Sequence, residues 1–363
     1  MLRLINILIL FIASAATAAA STATAGDFDC RWLSHPTPDD TSHVWFSRTI
    51  VTSEKDMPRA AYIRIATTGR FVLYVNGRNV STALFTPDRQ KGDTAVAAIA
   101  YDVQRFLRTD TNTIAILYCP SMRTHRQVSV CFYGIAADSS HFAVSGTDRP
   151  CFALNGNAGW LCRHADTWQT HDGGEAMNRN QYPYRWTDAN QPLTLWQAVE
   201  ETATPQHHNI STQHHNNTPQ RHNITTPHNT TASLNTSTPQ HNNITTTPLS
   251  SEDICGYNPL RINPLVDNAA RISRIYTPLL TEQSGDTLTV HLVPNRRHLI
   301  RVTLRGCRRG ERIRIGNLQY VCTGEMDEQA FTRFSPTDQN TVTISGDRHF
   351  CCEQVQEVES ICL

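Results

Sequence analysis

The feature that most limits how this chain can fold is the alternation of side chains over residues 60–80. Ile63 and Ile65 share one face of an extended segment, and a second alternating run follows a Thr-Thr-Gly turn. A period of two residues is that of a strand, because successive side chains in a strand point to opposite faces. Asn76 and Gly77 then predict a tight hairpin, since both tolerate the positive φ angles of a type I′ turn. We therefore predict an antiparallel β-meander.

Similar alternating runs recur on both sides of a polar tract and are separated by turn residues. This pattern, without a long segment of helical period, is typical of an all-β fold. We predict two β-sandwich domains of jelly-roll type, over residues 27–201 and 252–363, joined by a disordered Asn/Thr/His-rich segment over residues 202–251.

Residues 202–251 consist almost wholly of Thr, Asn, His, Gln, Pro and Ser. A Thr-Pro-Gln-x-x-Asn-Ile pattern begins three times, at Thr204, Thr218 and Thr238. Such a composition buries too little apolar surface to offset an ordering cost of ~1–2 kcal/mol per residue. We expect a disordered linker. Weak metal binding by its histidines and glycosylation of its Asn-x-Ser/Thr sites are the alternatives.

The first 25 residues have the pattern of a secretory signal peptide. Arg3 precedes an apolar run over residues 4–16, and Ala23 and Ala25 offer a small-residue cleavage site. The run is too short for a membrane span. We therefore expect an exported protein, periplasmic or secreted. The chain has 32 basic and 32 acidic residues and no basic run, so its charge does not favour nucleic acid or an anionic membrane as a partner.

Eleven cysteines in an exported protein predict disulfides, and the odd number leaves at least one thiol unpaired in a monomer. Cys119 and Cys131 lie near the ends of two strands that we expect to be neighbours. Cys151 and Cys162 flank a short loop rich in Gly and Asn. These are the two expected pairs. The cysteine spacing lacks a repeated Cys-x-x-Cys, so the sequence predicts no structural zinc or other metal site.

Three short motifs occur in order along the first predicted domain: Tyr-Val-Asn-Gly at 74–77, Tyr-Asp-Val at 101–103 and Asn-Thr-Ile at 112–114. Together they resemble the accessory N-terminal β-sandwich that bacterial α-L-rhamnosidases carry ahead of their catalytic domain. More loosely, they resemble the jelly-roll, galactose-binding-like domain of β-galactosidase-type hydrolases. In the second predicted domain, residues 324–329 resemble a segment of a smaller rhamnosidase β-sandwich.

The resemblance implies a glycan partner, in particular a rhamnose-containing one. It also implies calcium as the one cofactor to consider, because related modules include calcium-assisted rhamnose binders. Those modules have Gly-Asp where this chain has Ser81 and Thr82, and a Gly-Trp-Tyr loop where it has residues 119–121.

Aromatic and polar residues gather between residues 154 and 201, and they have the chemistry of a carbohydrate site. Aromatic rings stack on the apolar faces of sugars, while acids, amides and guanidinium groups bind the hydroxyls. Burial of the tryptophans in the core is the alternative. The predicted carbohydrate-binding residues are Trp168, Tyr184, Trp186, Asp172 and Arg185.

A glycosidase needs two carboxylates on opposite sides of the scissile bond. The densest acidic group is Glu325, Asp327 and Glu328, and we interpret this short segment as a solvated turn. The resemblance implies that catalytic acids lie in a helical barrel, for which the sequence shows no pattern. We expect binding without catalysis. The alternatives are an interaction protein that has lost sugar binding and the non-catalytic half of a split α-L-rhamnosidase.

Overall fold

The computed structural model describes residues 31–39, 41–67, 69–88, 97–120, 126–145, 159–170, 173–181, 187, 195–203 and 269–363. The predicted signal peptide lies outside these residues, and so does the tract from residue 204 onward.

The described residues form an all-β protein with short 3₁₀ turns, as the sequence predicts. The strands are β1 Arg31–Ser34, β2 Ser42–Thr52, β3 Ala60–Thr67, β4 Arg70–Val75, β5 Arg78–Asn79, β6 Ala97–Asp102, β7 Asp110–Cys119, β8 Val128–Ile135, β9 His141–Ser145, β10 Leu161–Gln169, β11 Glu175–Asn178, β12 Gln197–Ala198, β13 Glu200–Ala203, β14 Arg274–Tyr276, β15 Leu280–Ser284, β16 Thr287–His291, β17 His298–Arg305, β18 Arg312–Ile315, β19 Leu318–Val321, β20 Asp327–Phe331, β21 Thr341–Gly346 and β22 Val355–Cys362.

These strands build two sandwiches from three sheets. One sheet has the order β13-β1-β8-β3-β6, with β9 on β8. The largest has the order β15-β16-β21-β18-β19-β11-β10-β2-β7-β4-β5, with β12 on β10, and the third has the order β14-β22-β17-β20. The large sheet therefore contributes one layer to each sandwich. Strand β13 extends to Ala203, which pairs with Arg31, so the first sandwich includes two residues that composition assigns to the polar tract.

The alternation that predicts strands β3 and β4 also predicts their buried faces. Ile63, Ile65 and Val75 are fully buried, and Phe71 is 1% exposed. They join one hydrophobic cluster that fills the first sandwich. The hairpin after β4 is confirmed as well, since Asn76 has φ +52° and the following glycine +77°.

The predicted meander is wrong in one respect, because β3 and β4 do not pair with each other. Strand β3 pairs with β6 and β8, whereas β4 pairs with β7 and β5 in the facing layer. The Thr-Thr-Gly turn thus crosses between the sheets. Gly69 permits this crossing, since a Cβ there would lie 2.2 Å from the carbonyl oxygen of Cys119.

The two sandwiches are joined by a parallel strand pair. Strand β11 of the first sandwich pairs with β19 of the second, with Glu175 opposite Leu318. The side chain of Glu175 continues the junction, because its carboxylate accepts hydrogen bonds from the backbone N–H groups of Arg333 (2.8 Å) and Phe334. The buried backbone of this segment is thereby satisfied by a side chain of the other sandwich.

A hydrophobic cluster of its own covers the junction. Phe334 packs edge to face on His43, with ring centroids 5.2 Å apart, and lies 5.7 Å from the ring of Phe85. Arg70 donates to the carbonyl oxygen of Phe334 at 2.8 Å, and Arg297 pairs with Asp88 at 2.7 Å. The sandwiches therefore share apolar surface, hydrogen bonds and an ion pair.

Candidate functional site

The one predicted binding residue that the structure describes is Trp168. It lies on β10, where it pairs with Ser42 of β2 on one side and Ala176 of β11 on the other. Strand geometry turns the adjacent Thr167 inward, where its hydroxyl lies 2.8 Å from Nδ1 of the buried His43. The side chain of Trp168 is 37% exposed. The alternative of a wholly buried core tryptophan is therefore wrong for this residue.

A carboxylate lies close to Trp168 in the chain that enters β2. Asp39 accepts hydrogen bonds from the backbone N–H groups of Thr41 (2.8 Å) and Ser42 (2.7 Å), and from the Ser42 hydroxyl (2.5 Å). Gln169 donates to the carbonyl oxygen of Thr41 at 2.9 Å. This bond holds the Asp39 turn next to the end of the strand that carries Trp168.

The Asp39 carboxylate stays ionised over a wide pH range. Partial burial raises its pKa, but the hydrogen bonds from Ser42 and Thr41 outweigh that effect and lower the pKa to about 2. Its side chain is 49% exposed, and the guanidinium of Arg126 lies 4.0 Å away. Asp39 therefore presents an anionic hydrogen-bond acceptor to solvent, with a cationic donor beside it.

Two histidines extend this polar region. The rings of His35 and His164 lie with their centroids 3.6 Å apart and their planes tilted by 31°. Nε2 of His164 lies 2.8 Å from the carbonyl oxygen of Thr37, and the Gln197 amide lies 2.7 Å from Nε2 of His35. Burial and the neighbouring His164 lower the pKa of His35, so this imidazole is neutral at pH 7.

The exposed indole lies near the turn that carries the ionised Asp39 and its neighbour Arg126, while His164 and Gln197 lie further along β10 and its partner β12. Groups of these kinds occur in carbohydrate sites. The indole offers an apolar surface for stacking, and the polar groups satisfy hydroxyls in both donor and acceptor roles. We call Trp168, Asp39, Arg126, His164 and Gln197 the Trp168 site.

The other predicted binding residues, Asp172, Tyr184, Arg185 and Trp186, lie outside the described residues. The sequence prediction missed Asp39, Arg126, His164 and Gln197. The pairing of β10 with β2 and β12 brings these segments together. The only local signal was the Asp-x-Thr-Ser pattern at residues 39–42, which is typical of a side-chain-capped turn.

The structure contradicts the expected disulfide between Cys119 and Cys131, since both are free and buried. Cys119 ends β7, which pairs with β2 and β4, whereas Cys131 lies on β8 in the facing sheet. The two strands are consecutive in the chain but are not a hairpin. Cys162 is also free, and Cys151 lies outside the described residues.

The acidic group of the second sandwich is not simply a solvated turn. Glu328 is buried and accepts hydrogen bonds from the Tyr320 hydroxyl (3.0 Å) and from the backbone N–H groups of Thr323 and Gly324 (2.8 Å each). Asp327 is exposed and forms an ion pair with Arg305 at 2.7 Å. These carboxylates support the local fold of the 322–328 turn.

The calcium that the resemblance implies does not fit the residues that the structure describes. Calcium prefers carboxylate and carbonyl oxygens in groups of six to eight ligands. Ser81 and Thr82 supply only hydroxyl side chains, and the Thr82 hydroxyl accepts a hydrogen bond from Arg271 at 2.8 Å. Within the described ranges, no group of three or more His, Cys, Asp or Glu side chains could hold a metal ion.

None of the residues that the structure describes forms a helix with the length and apolar character that a membrane crossing requires.

Comparisons with solved structures identify the fold. The α-L-rhamnosidase from Dictyoglumus thermophilum matches with a TM-score of 0.62 and 13% identity, over 93% of this chain and 36% of that one. The α-L-rhamnosidase from Aspergillus terreus matches with a TM-score of 0.61 and 12% identity, over 93% of this chain and 36% of that one. The α-L-rhamnosidase from Streptomyces avermitilis, solved with L-rhamnose, matches with a TM-score of 0.60 and 14% identity. The similarity covers 90% of this chain and 29% of that one. The chain thus spans about a third of the length of these enzymes.

The sequence comparison agrees with the fold. No curated protein sequence matches the chain. Residues 56–221, however, match the family described as the alpha-L-rhamnosidase N-terminal domain. The chain therefore contains a domain related to the N-terminal domain of α-L-rhamnosidases, as its Tyr-Val-Asn-Gly, Tyr-Asp-Val and Asn-Thr-Ile motifs predict.

Proposed function

We propose that this chain is an exported, non-catalytic protein that binds glycans through the Trp168 site. The observation that carries the proposal is an indole, 37% exposed, on a strand that is tied to the ionised Asp39 turn. An indole at the surface offers an apolar face on which a sugar ring can stack.

The kind of glycan follows from the groups beside the indole. Asp39 accepts hydrogen bonds from hydroxyls, while Arg126 and Gln197 donate them. A deoxy sugar such as rhamnose has a methyl group and an apolar ring face for the indole, together with hydroxyls for these polar groups. The α-L-rhamnosidase from Streptomyces avermitilis was solved with this sugar, which supports rhamnose as the first ligand to test.

Isothermal titration of the purified chain with rhamnose and with rhamnose-containing oligosaccharides tests the proposal. Trp168→Ala should weaken binding by about tenfold or more, because the stacking surface is lost. The matched control is Leu280→Ala, which removes another exposed apolar side chain (53% exposed) on the second sandwich. If both variants bind as the parent chain does, the Trp168 site is not the binding site.

A second candidate is an accessory part of an α-L-rhamnosidase whose catalytic domain lies in sequence beyond this chain. The comparison favours it, because roughly two thirds of each matched enzyme lies outside the region of similarity. In that case the purified chain should raise the affinity of a separately produced α-L-rhamnosidase catalytic domain for a polymeric substrate. If it leaves that affinity unchanged, this candidate is excluded.

A further inference from the structure

The Trp168 indole is one end of a row of side chains that crosses the large sheet from the first sandwich to the second. Directly opposed residues of neighbouring strands place their side chains on the same face. Trp168 of β10 lies opposite Ala176 of β11, and Ala176 lies opposite Gln319 of β19. Gln319 in turn lies opposite Arg314 of β18. The register therefore sets these four residues side by side on one face.

The alternation of burial shows that this face is the outer one. Met177, which follows Ala176, belongs to the hydrophobic cluster that fills the second sandwich, and so does Ile313 of β18. Their neighbours Ala176 and Arg314 therefore point away from that core. Gln319 and Arg314 are exposed, whereas Ala176 contributes only a methyl group between longer side chains.

The row is longer than a single sugar. Neighbouring strands lie about 4.8 Å apart, so the three strand intervals from β10 to β18 separate Trp168 from Arg314 by about 14 Å at the level of the backbone. A short oligosaccharide spans such a distance. Because the row crosses the β11–β19 pair, both sandwiches contribute to one continuous surface.

The far end of the row is cationic. Arg312 and Arg314 are both exposed and lie two residues apart, hence on the same face of β18. The ion pairs among the described residues involve neither of them. Nε of Arg314 donates to the carbonyl oxygen of Gly316 at 3.2 Å, which uses one of its five N–H donors. The neighbouring Asp347 carboxylate accepts hydrogen bonds from the backbone N–H groups of Arg312 (3.0 Å) and His349 (2.9 Å).

We propose that the outer face from Trp168 to Arg314 binds an acidic oligosaccharide, with one sugar on the indole and a uronic acid carboxylate on Arg312 and Arg314. A guanidinium group matches a carboxylate with two parallel hydrogen bonds. The Gln319 amide, between the two ends, can donate to and accept from the intervening hydroxyls. This inference rests on the proposed glycan binding and specifies its class, which is an anionic rather than a neutral polysaccharide.

Isothermal titration with three probes tests the inference. The probes are rhamnose, an oligosaccharide of alternating rhamnose and galacturonic acid, and the same oligosaccharide with its carboxylates reduced to alcohols. The parent chain should bind the acidic form about fivefold more tightly than the reduced form. About 1 M salt should remove most of this difference, since it screens exposed charges. Equal affinities for the two forms would overturn the inference, while binding of rhamnose would still support the Trp168 site.

Replacement of Arg314 by Gln tests the cationic end directly. The variant should bind the acidic form about fivefold more weakly and bind rhamnose as the parent chain does, because rhamnose reaches only the indole. The matched control is Arg274→Gln, which removes the same charge from an exposed position on β14 in another sheet. If the control weakens binding of the acidic form as much as Arg314→Gln does, net charge is responsible and the inference is wrong.

Replacement of Gln319 by Glu tests the path between the two ends. A negative charge there should weaken binding of the acidic form and leave the reduced form unaffected, whereas Trp168→Ala should weaken binding of all three probes. Unchanged binding of the acidic form by both Gln319→Glu and Arg314→Gln would refute this inference alone. Failure of the parent chain to bind any of the three probes would refute the proposed function, and this inference with it.

Discussion

The carboxylate of Glu175 accepts a hydrogen bond from the backbone N–H of Arg333 at 2.8 Å, although the two residues belong to different sandwiches. Glu175 is fully buried at this junction, and Phe334 donates to its second oxygen. Burial raises the pKa of Glu175, and the hydrogen bonds from Arg333 and Phe334 oppose that effect without cancelling it. One side chain thus links the stability of the junction to pH.

Replacement of Glu175 by Gln should lower the free energy of unfolding by roughly 2 kcal/mol, because the amide provides one acceptor where the carboxylate provides two. The control is Glu325→Gln, at an exposed position of the second sandwich. Urea denaturation of both variants measures the effect. Equal stabilities would show that the junction does not depend on this carboxylate.

The same variant should also change the pH dependence of stability. A carboxyl group with a raised pKa in the folded state contributes most below its ordinary pKa of 4.5, and this contribution is lost as pH rises through the folded value. The parent chain should therefore lose stability relative to Glu175→Gln as pH rises above the ordinary pKa of 4.5. Parallel stability curves for the two proteins would contradict this.

Replacement of Asp39 by Asn should weaken glycan binding while the fold persists, because an ionised acceptor becomes a neutral amide. The pKa of Asp39 is about 2. The contribution of the ionised carboxylate to the glycan affinity should therefore be constant from pH 7 down to about pH 4. Stability that depends on the ionised Asp39 should be lost only as pH falls from its ordinary pKa of 3.8 toward about 2. Titration at several pH values measures the binding, and a fall in parent affinity that begins above pH 5 would point to another group.

Cys119 and Cys131 should resist alkylation in the folded protein. Burial raises the pKa of each thiol to about 12, so neither forms a reactive thiolate at pH 8. The exposed Cys351 is the internal control and should react with iodoacetamide first. Mass spectrometry before and after addition of urea measures the labelling. Rapid labelling of Cys119 in the native protein would contradict the structure.

Cleavage between the two sandwiches should not separate them. Arg221 and Arg261 are the only lysine or arginine residues between Ala203 and Ala269 in the sequence, and trypsin cleaves after lysine and arginine. The two fragments should elute together in gel filtration, because β11–β19 pairing and the Phe334 cluster hold them. They should separate in urea. Separate elution in native buffer would show that the junction is weak.

The purified chain should not hydrolyse an aryl α-L-rhamnoside. A glycosidase places two carboxylates ~5–9.5 Å apart around the substrate, whereas Glu328 and Asp327 are engaged by Tyr320 and Arg305. The absorbance of the released aryl alcohol measures the rate of hydrolysis. Turnover that is abolished by Asp327→Asn would overturn the non-catalytic assignment.

The sequence predicts the strands and their buried faces well, because alternation is a local property. Ile63, Ile65 and the Asn76–Gly77 hairpin are examples. It does not reveal that Gly69 leads the chain into the other sheet, since a hairpin and a crossover leave the same alternation. The β11–β19 pair is equally hidden, because its partners lie far apart in the chain and pair in parallel.

The candidate site shows the same limit. Trp168 was predicted from its residue type, since an aromatic in a polar segment favours a surface role. Asp39, His164 and Gln197 were not, because only the register of β10 against β2 and β12 brings Asp39 near Trp168 and places Gln197 further along the same strand, opposite Cys162. The disulfide prediction failed for a related reason, as closeness in the chain was taken for pairing in the sheet.

The parallel β11–β19 pair also determines how a bound ligand is presented. Two domains joined only by a linker sample many relative orientations, whereas these two also share a β-sheet and the Phe334 cluster, which restrict such motion. A polysaccharide held at Trp168 would therefore leave the protein in a restricted range of directions relative to the β14-β22-β17-β20 layer. Any molecule that docks on that layer would meet the polymer at a defined angle and at high local concentration.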